Sequence, residues 1–231
     1  MNNDSKYLQF WSKMFGLTVE KLRKSQSEFV MSGDYIQKYG DRYIFQFEDF
    51  STTKKIVAGA NPQIATWDLP QIEAACNLAF DDVDFVLESA DSFIATDSDP
   101  RVSRCDGWTN SISEFLAACS EDDRDTLDLS FEEEIVVALI EQGRVQAMAR
   151  SVPIKETELC DVTMLVHPEC RGRGLSTSVM SELVHQSLAE GFLPKYRVRK
   201  DHSSSIAVAR RCGFIPRFHL QSWELKTNSV G

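Results

Sequence analysis

Residues 161–191, DVTMLVHPECRGRGLSTSVMSELVHQSLAEG, constrain the fold of this chain more than any other stretch. Residues 161–166 are apolar and β-prone, and Pro168 closes them because proline has no N–H to give a ladder. Arg171-Gly172-Arg173-Gly174 follows at once, and from Leu175 the spacing turns helical. Leu175, Val179, Leu183 and Val184 share one face, with Ser181, Glu182 and His185 off it. A strand that feeds a glycine turn at a helix start is a place to hold an anion. The first-turn N–H groups lack partners inside the helix, the dipole favours negative charge there, and glycine lets a phosphate reach the main chain. Arg171 and Arg173 add positive charge. The stretch predicts a pyrophosphate cradle.

Two common cradles do not match. A nucleotide P-loop needs Lys and Ser or Thr after its second glycine, and no Lys follows Gly174. A dinucleotide fingerprint needs a third glycine where Thr177 stands. The pattern that fits is Arg/Gln-x-x-Gly-x-Gly/Ala after a strand ending in Val-x-Pro. Val166, His167, Pro168, Arg171, Gly174 and Ser176 occupy it. Downstream, residues 195–200 (KYRVRK) read as a strand and 203–211 as a helix, and Cys212-Gly213-Phe214 leads into a last strand. Gly213 stands where a helix C-cap needs positive φ.

In these features the chain, from about residue 101 to 225, resembles the GNAT superfamily of acyl-CoA-dependent N-acetyltransferases. The resemblance implies an α/β (α+β) fold, a mixed central sheet flanked by helices, largely antiparallel with a parallel pair at the cradle. It implies acetyl-CoA as cosubstrate and direct attack of a primary amine in a ternary complex. A main-chain N–H of the cradle strand then serves the developing oxyanion. By the same resemblance Arg171, Gly172, Arg173, Gly174, Leu175 and Ser176 hold the pyrophosphate. Leu165 and Val166 line the acetyl and pantetheine arm, with His202 and Ser205 across from them. Asp161 and Glu158, at the start of the strand, are candidate bases. Tyr196, His202, Ser203, Ser204 or water are candidates to protonate the thiolate, and His202 also reads as a polar group that bonds the cofactor arm.

Three positions depart from the family pattern. Ser176 replaces Gly or Ala, His202 replaces Asn, and Ala209 stands where many members carry the tyrosine that protonates the leaving thiolate. A thiol leaving group needs little help near neutral pH, so catalysis does not require that tyrosine. A CoA-binding or sensor protein without turnover is the alternative.

The net charge of −10 is uneven. Residues 160–231 carry ten basic against six acidic side chains, a balance of +4, which leaves −14 for residues 1–159. A basic lobe suits a phosphate-rich cosubstrate and an acidic one a cationic amine, while acidity also serves solubility. The basic residues surround the cradle rather than forming a separate stripe, which disfavours nucleic acid. Six cysteines without framework spacing suit reduced thiols, and Cys160, His167 and Cys170 have no fourth ligand nearby, so no metal is expected. No run is long enough to span a membrane and the start lacks a signal-peptide core. The expectation is a cytoplasmic monomer or homodimer.

Ser98-Asp99-Pro100 is the expected boundary, dividing an N-terminal α/β lobe (1–98), which the resemblance suggests is a partial copy of the same fold, from the GNAT domain (99–231). In the lobe, residues 6–14 and 18–27 read as helices, and 42–47 and 54–58 as a hairpin. A helix capped by Asp68 runs to about residue 80, an acidic helix follows over 81–88, and 93–95 form a short strand. In the C-terminal part, 101–105, 134–141 and 144–149 read as strands, the last two joined at Gln142-Gly143, and 111–118 and 122–127 as helices. The final strand loses its alternation between Phe218 and Trp223, which predicts a bulge or bend there.

Overall fold

The structure, a computed structural model, describes residues 3–24, 28–31, 43–51, 54–59 and 69–226. In chain order its elements begin with α1 (Asn3–Phe15), α2 (Val19–Lys24), β1 (Glu28–Met31), β2 (Tyr43–Asp49), β3 (Lys54–Gly59), α3 (Leu69–Ala75) and β4 (Cys76–Val86). Next come β5 (Val102–Arg104), α4 (Asn110–Ala118), α5 (Glu121–Leu127), β6 (Ile135–Glu141), β7 (Arg144–Pro153) and β8 (Leu159–Val166). The chain closes with α6 (Leu175–Ala189), β9 (Leu193–Arg199), α7 (Ser203–Arg211) and β10 (Ile215–Leu225). These residues gather into two units, one of Val86–Arg197 and Ser203–Ile215, the other of Met1–Phe85, Val198–His202 and Pro216–Gly231.

The unit that holds the cradle is built on strands in the order β9-β8-β7-β6-β5, with β8 and β9 parallel and the other pairs antiparallel. This is the mixed, helix-flanked sheet expected from the sequence. The β6–β7 hairpin turns on Gln142 and Gly143 at φ 51° and 76°, the left-handed pair that a two-residue turn requires. Ile135 through Leu139 are all buried, because both faces of β6 are covered and a doubly covered strand needs no alternation. On one face Val136, Ala138, Met148 and Leu165 pack with Ile112, Phe115 and Cys119 of the α4 segment and Leu127 of α5. Each large side chain buried there contributes about 2 kcal/mol. α6 covers the other face, where Ser187 Oγ donates to Ser151 Oγ at 3.1 Å. Ser181, expected off the apolar face, is buried too, and its Oγ accepts the Thr96 N–H at 3.0 Å.

The second unit orders its strands β1-β3-β2-β10-β4. β2 and β3 form the expected hairpin; residues 52–53 between them, like 25–27 and the expected cap Asp68, lie outside the described residues. Trp11 of α1 packs on Phe47, Phe15 and Phe218 with ring centroids 4.6, 5.5 and 5.9 Å away. Ile72, Cys76, Ile44, Trp223 and Leu225 form a separate cluster.

Three expectations fail here. Residues 81–88 are not an acidic helix: α3 stops at Ala75 and β4 runs through the acidic run to Val86. Val83, Asp84, Phe85 and Val86 are buried in succession, and Asp81 has His219 as a partner, so these carboxylates do not line a solvated helix face. β10 holds an unbroken register against β2 from Phe218 to Glu224, without the predicted bulge. Phe218, His219 and Leu220 are buried in succession because this strand too is covered on both faces. Residues 93–95 are not a strand; the Ile94 N–H instead bonds the Cys212 carbonyl at 3.2 Å.

Candidate functional site

The cradle follows from backbone geometry. After β8, His167 caps a 3-10 turn over Pro168–Cys170, its Nδ1 accepting the Glu169 N–H at 3.3 Å. Gly172 and Gly174 both lie at φ 78°, a conformation open to glycine at little cost. A Cβ at either position would meet no heavy atom within 4 Å, so packing does not demand these glycines. Gly174 is the N-cap of α6 and provides no side-chain bond to the first turn, which also holds no acidic residue. The helix start is electropositive and side-chain-free, the arrangement that accepts a phosphate.

Arg171 and Arg173 flank this turn, each held by an acid far along the chain. Arg171 Nη2 pairs with Asp123 at 2.7 Å and its Nε donates to the Val166 carbonyl at 3.3 Å. Burial pushes the Asp123 carboxyl up, but hydrogen bonds with Ser120 and Arg171 outweigh it and hold the group below its ordinary value. Arg173 Nη2 lies 3.4 Å from Glu141 and its Nη1 3.7 Å from Cys170 Sγ. Asp123 and Glu141 were not legible as part of the site, since they stand 48 and 32 positions from their arginines.

Beside the cradle the sheet opens. The parallel ladder pairs Leu159, Cys160 and Asp161 with Leu193, Pro194 and Lys195 and then stops, although both strands run on. The Glu158 carbonyl accepts from Leu193 N at 2.7 Å, whereas His167 N donates to Gln146 of β7 at 2.9 Å. By the alternation of strand hydrogen bonding, even-numbered residues of β8 aim their main-chain groups toward β9 and odd-numbered ones toward β7. Beyond Asp161 the main chain of Met164 and Val166 therefore faces the opening.

The candidate residues divide by position. Leu165 is buried and Val166 half-buried at the cradle end of β8; Leu175 is buried and Ser176 half-buried in the first turn of α6. Asp161 sits at the last paired position, where its carboxylate, half exposed, makes an ion pair with Lys195. Glu158 is exposed just before β8. Tyr196 is buried and hydrogen-bonds Ser205 of α7; burial pushes its hydroxyl up to about 12, partly offset by that bond. His202 is exposed in the turn before α7, its N–H donating to the Arg199 carbonyl at 2.9 Å. Ala209 is fully buried. Lys195, only 1% exposed, is the residue that sequence reasoning missed at this site. The alternation of 195–200 marks it as polar, and the register across from Asp161 brings it to that carboxylate.

Comparison with known proteins agrees with this geometry. Residues 105–214 match the family described as Acetyltransferase (GNAT) family. Among proteins of curated function none matches the chain. A GNAT-family structure from Novosphingobium aromaticivorans is similar at 17% identity, over 66% of this chain and 69% of that one, with a TM-score of 0.51. An acetyltransferase of the GNAT family from Colwellia psychrerythraea is similar at 12% identity, over 70% of this chain and 63% of that one, with a TM-score of 0.50. A GCN5-related N-acetyltransferase from Kribbella flavida is similar at 12% identity, over 74% of this chain and 66% of that one, with the same TM-score of 0.50. At such identities the likeness is one of fold. The strand, the glycine turn and the helix that carry the site thus lie inside a GNAT-family acetyltransferase domain at residues 105–214.

Proposed function

We propose that the protein is an N-acetyltransferase that moves an acetyl group from acetyl-CoA to a primary amine by direct attack in a ternary complex. One observation carries this reading: the β8–β9 ladder ends at Asp161 and Lys195 while an uncapped helix start stands at the other end of β8. Between them β8 stays paired with β7 as far as Val166, while among the described residues its register with β9 ends at Asp161.

When bound, acetyl-CoA supplies an activated thioester. Arg171, Gly172, Arg173, Gly174, Leu175 and Ser176 hold the pyrophosphate. For the arginines this means exchanging or sharing their bonds to Asp123 and Glu141. Leu165 and Val166 line the arm, with Ser205 as a partner for its amide groups. The main-chain N–H groups of Met164 and Val166 stabilise negative charge on the thioester oxygen. Asp161 or Glu158, directly or through water, removes the proton from the incoming ammonium, since only the neutral amine attacks. Tyr196 stays protonated at neutral pH and is a proton source for the thiolate that Ala209 cannot be. The acidic surface of residues 1–159 suits a cationic acceptor.

Ala209 favours a second reading, a CoA-binding protein without turnover. Thiol release separates the two. The enzyme liberates CoA from acetyl-CoA only when an accepted amine is added, across a panel of arylalkylamines, polyamines and lysine peptides. Tight acetyl-CoA binding with no amine-dependent thiol release across that panel would contradict the enzymatic reading.

A further inference from the structure

The two arginines of the cradle are each tied to a carboxylate that another part of the fold holds in place. Arg171 Nη2 bonds Asp123 at 2.7 Å, and its Nε donates to the Val166 carbonyl at 3.3 Å. Asp123 stands in the first turn of α5, where its N–H donates to Ser120 Oγ at 3.2 Å and its carboxylate also hydrogen-bonds Ser120. The helix cap thus fixes this carboxylate independently of Arg171. Arg173 Nη2 lies 3.4 Å from Glu141 Oε2, and Oε1 of the same carboxylate accepts from Arg101 Nη1 at 3.1 Å. Arg101 in turn grips Asp99 through Nε at 2.9 Å and Nη2 at 2.8 Å. Glu141 therefore has a holder of its own.

Both cradle arginines are half exposed, and an exposed ion pair is weak enough to exchange. A guanidinium offers a phosphate the same fork of N–H donors that it offers a carboxylate. A pyrophosphate at residues 171–176 and the two carboxylates draw on the same donors. Seating the pyrophosphate costs the bonds to Asp123 and Glu141 and leaves two fixed negative charges beside an anion. Against this, a carboxylate can hold a guanidinium in the orientation that the phosphate needs. Charge outweighs orientation here, because both carboxylates repel every negative charge of the cosubstrate, whereas orienting a half-exposed side chain adds little.

We infer that Asp123 and Glu141 restrain the affinity of the cradle for CoA and recapture Arg171 and Arg173 as CoA leaves, which speeds product release. The inference rests on the acyltransferase reading above and concerns the regulation of that same site. Neither carboxylate is placed at the reacting atoms; each acts through its arginine. Asp123, with the shorter bond, carries the larger share.

The test is calorimetric titration of the full chain with free CoA at low ionic strength, together with release rates from stopped-flow displacement. Asp123→Asn should bind CoA about three- to tenfold more tightly and Glu141→Gln about two- to threefold, most of the gain appearing as slower release. Loss of a merely structural contact would not tighten binding. Asp125→Asn is the control: it removes the same charge from an exposed position of α5 whose spacing does not face Asp123, and it should change affinity by less than about twofold. Asp123→Asn that binds CoA as the wild type does, or more weakly, overturns the inference. A gain in Asp125→Asn as large as that in Asp123→Asn overturns it too, since the effect would then be one of net charge. Should Asp123→Asn not fold, unchanged or weaker binding by Glu141→Gln is the overturning result. Failure of the wild type to bind CoA at all overturns the acyltransferase reading itself, and the inference with it.

Discussion

A methyl group at position 213 would sit 2.2 Å from the Ser92 carbonyl oxygen and 3.0 Å from the Ile94 nitrogen, on a residue at φ 84°. Both contacts are to main chain and cannot rotate away. Gly213→Ala should therefore cost about 3 kcal/mol, from strain at positive φ together with overpacking, read as a lower urea midpoint at unchanged slope. Gly174 is the contrasting case: with no heavy atom within 4 Å, its replacement by Ala should cost only about 1 kcal/mol of stability. The thiols are equally specific. Of six cysteines five are buried and only Cys105 is half-exposed, so one thiol should react quickly with Ellman's reagent in the folded protein. Burial raises the Cys160 and Cys212 thiols to about 11 and the Tyr196 hydroxyl to about 12. Groups raised in the folded state stabilise it fully below their unfolded values and lose that contribution as pH climbs through the folded ones. Stability should hold to about pH 9 and then fall by about 2 kcal/mol per group toward pH 12. Tyrosinate absorbance from Tyr196 should appear together with unfolding and not ahead of it.

At the scale of elements, the segment between α5 and β6 shows what the buried ion pairs do. Asp128, Phe131 and Glu133 all have positive φ, and Arg150 of β7 anchors the segment through a 2.7 Å bond to Glu134, whose side chain is 3% exposed. Arg150→Leu would strand that carboxylate, and a loss of about 3 kcal/mol is expected, measurable by chemical denaturation; the double variant with Glu134→Leu should recover part of it. The same contrast between near and distant partners explains what the sequence made legible. The cradle was readable because strand end, proline, glycine turn and helix start are consecutive, and each is fixed by local physics. Gly213 was readable for the same reason. The acidic run at 81–86 misled because its carboxylates were assigned to solvent, whereas Asp81 bonds His219, 138 positions away. Likewise Phe218 to Trp223 broke alternation not through a bulge but through cover on both faces. Lys195, Asp123 and Glu141 entered the site only through register and tertiary pairing, which no local pattern encodes.

At the scale of the whole molecule, the chain does not divide at a single point: one unit gathers Met1–Phe85, Val198–His202 and Pro216–Gly231, and the other holds the matched family domain. Among the described residues no helix is long and apolar enough to cross a membrane. The charge split, +4 in residues 160–231 against −14 before them, places the basic groups in the part of the sequence that carries the cradle. Acetyl-CoA affinity should consequently weaken as salt rises from about 50 to 500 mM, because screening acts on the exposed Arg171 and Arg173. The central claim is that residues 171–176 bind the pyrophosphate of acetyl-CoA. Its most direct test is calorimetric titration of the wild-type protein with acetyl-CoA, repeated with Gly174→Glu, in which the side chain enters the cradle as a repelling anion. The account predicts one-to-one binding by the wild type, lost in a variant that remains folded by circular dichroism. Equal affinity in both proteins, or none in the wild type, would contradict it.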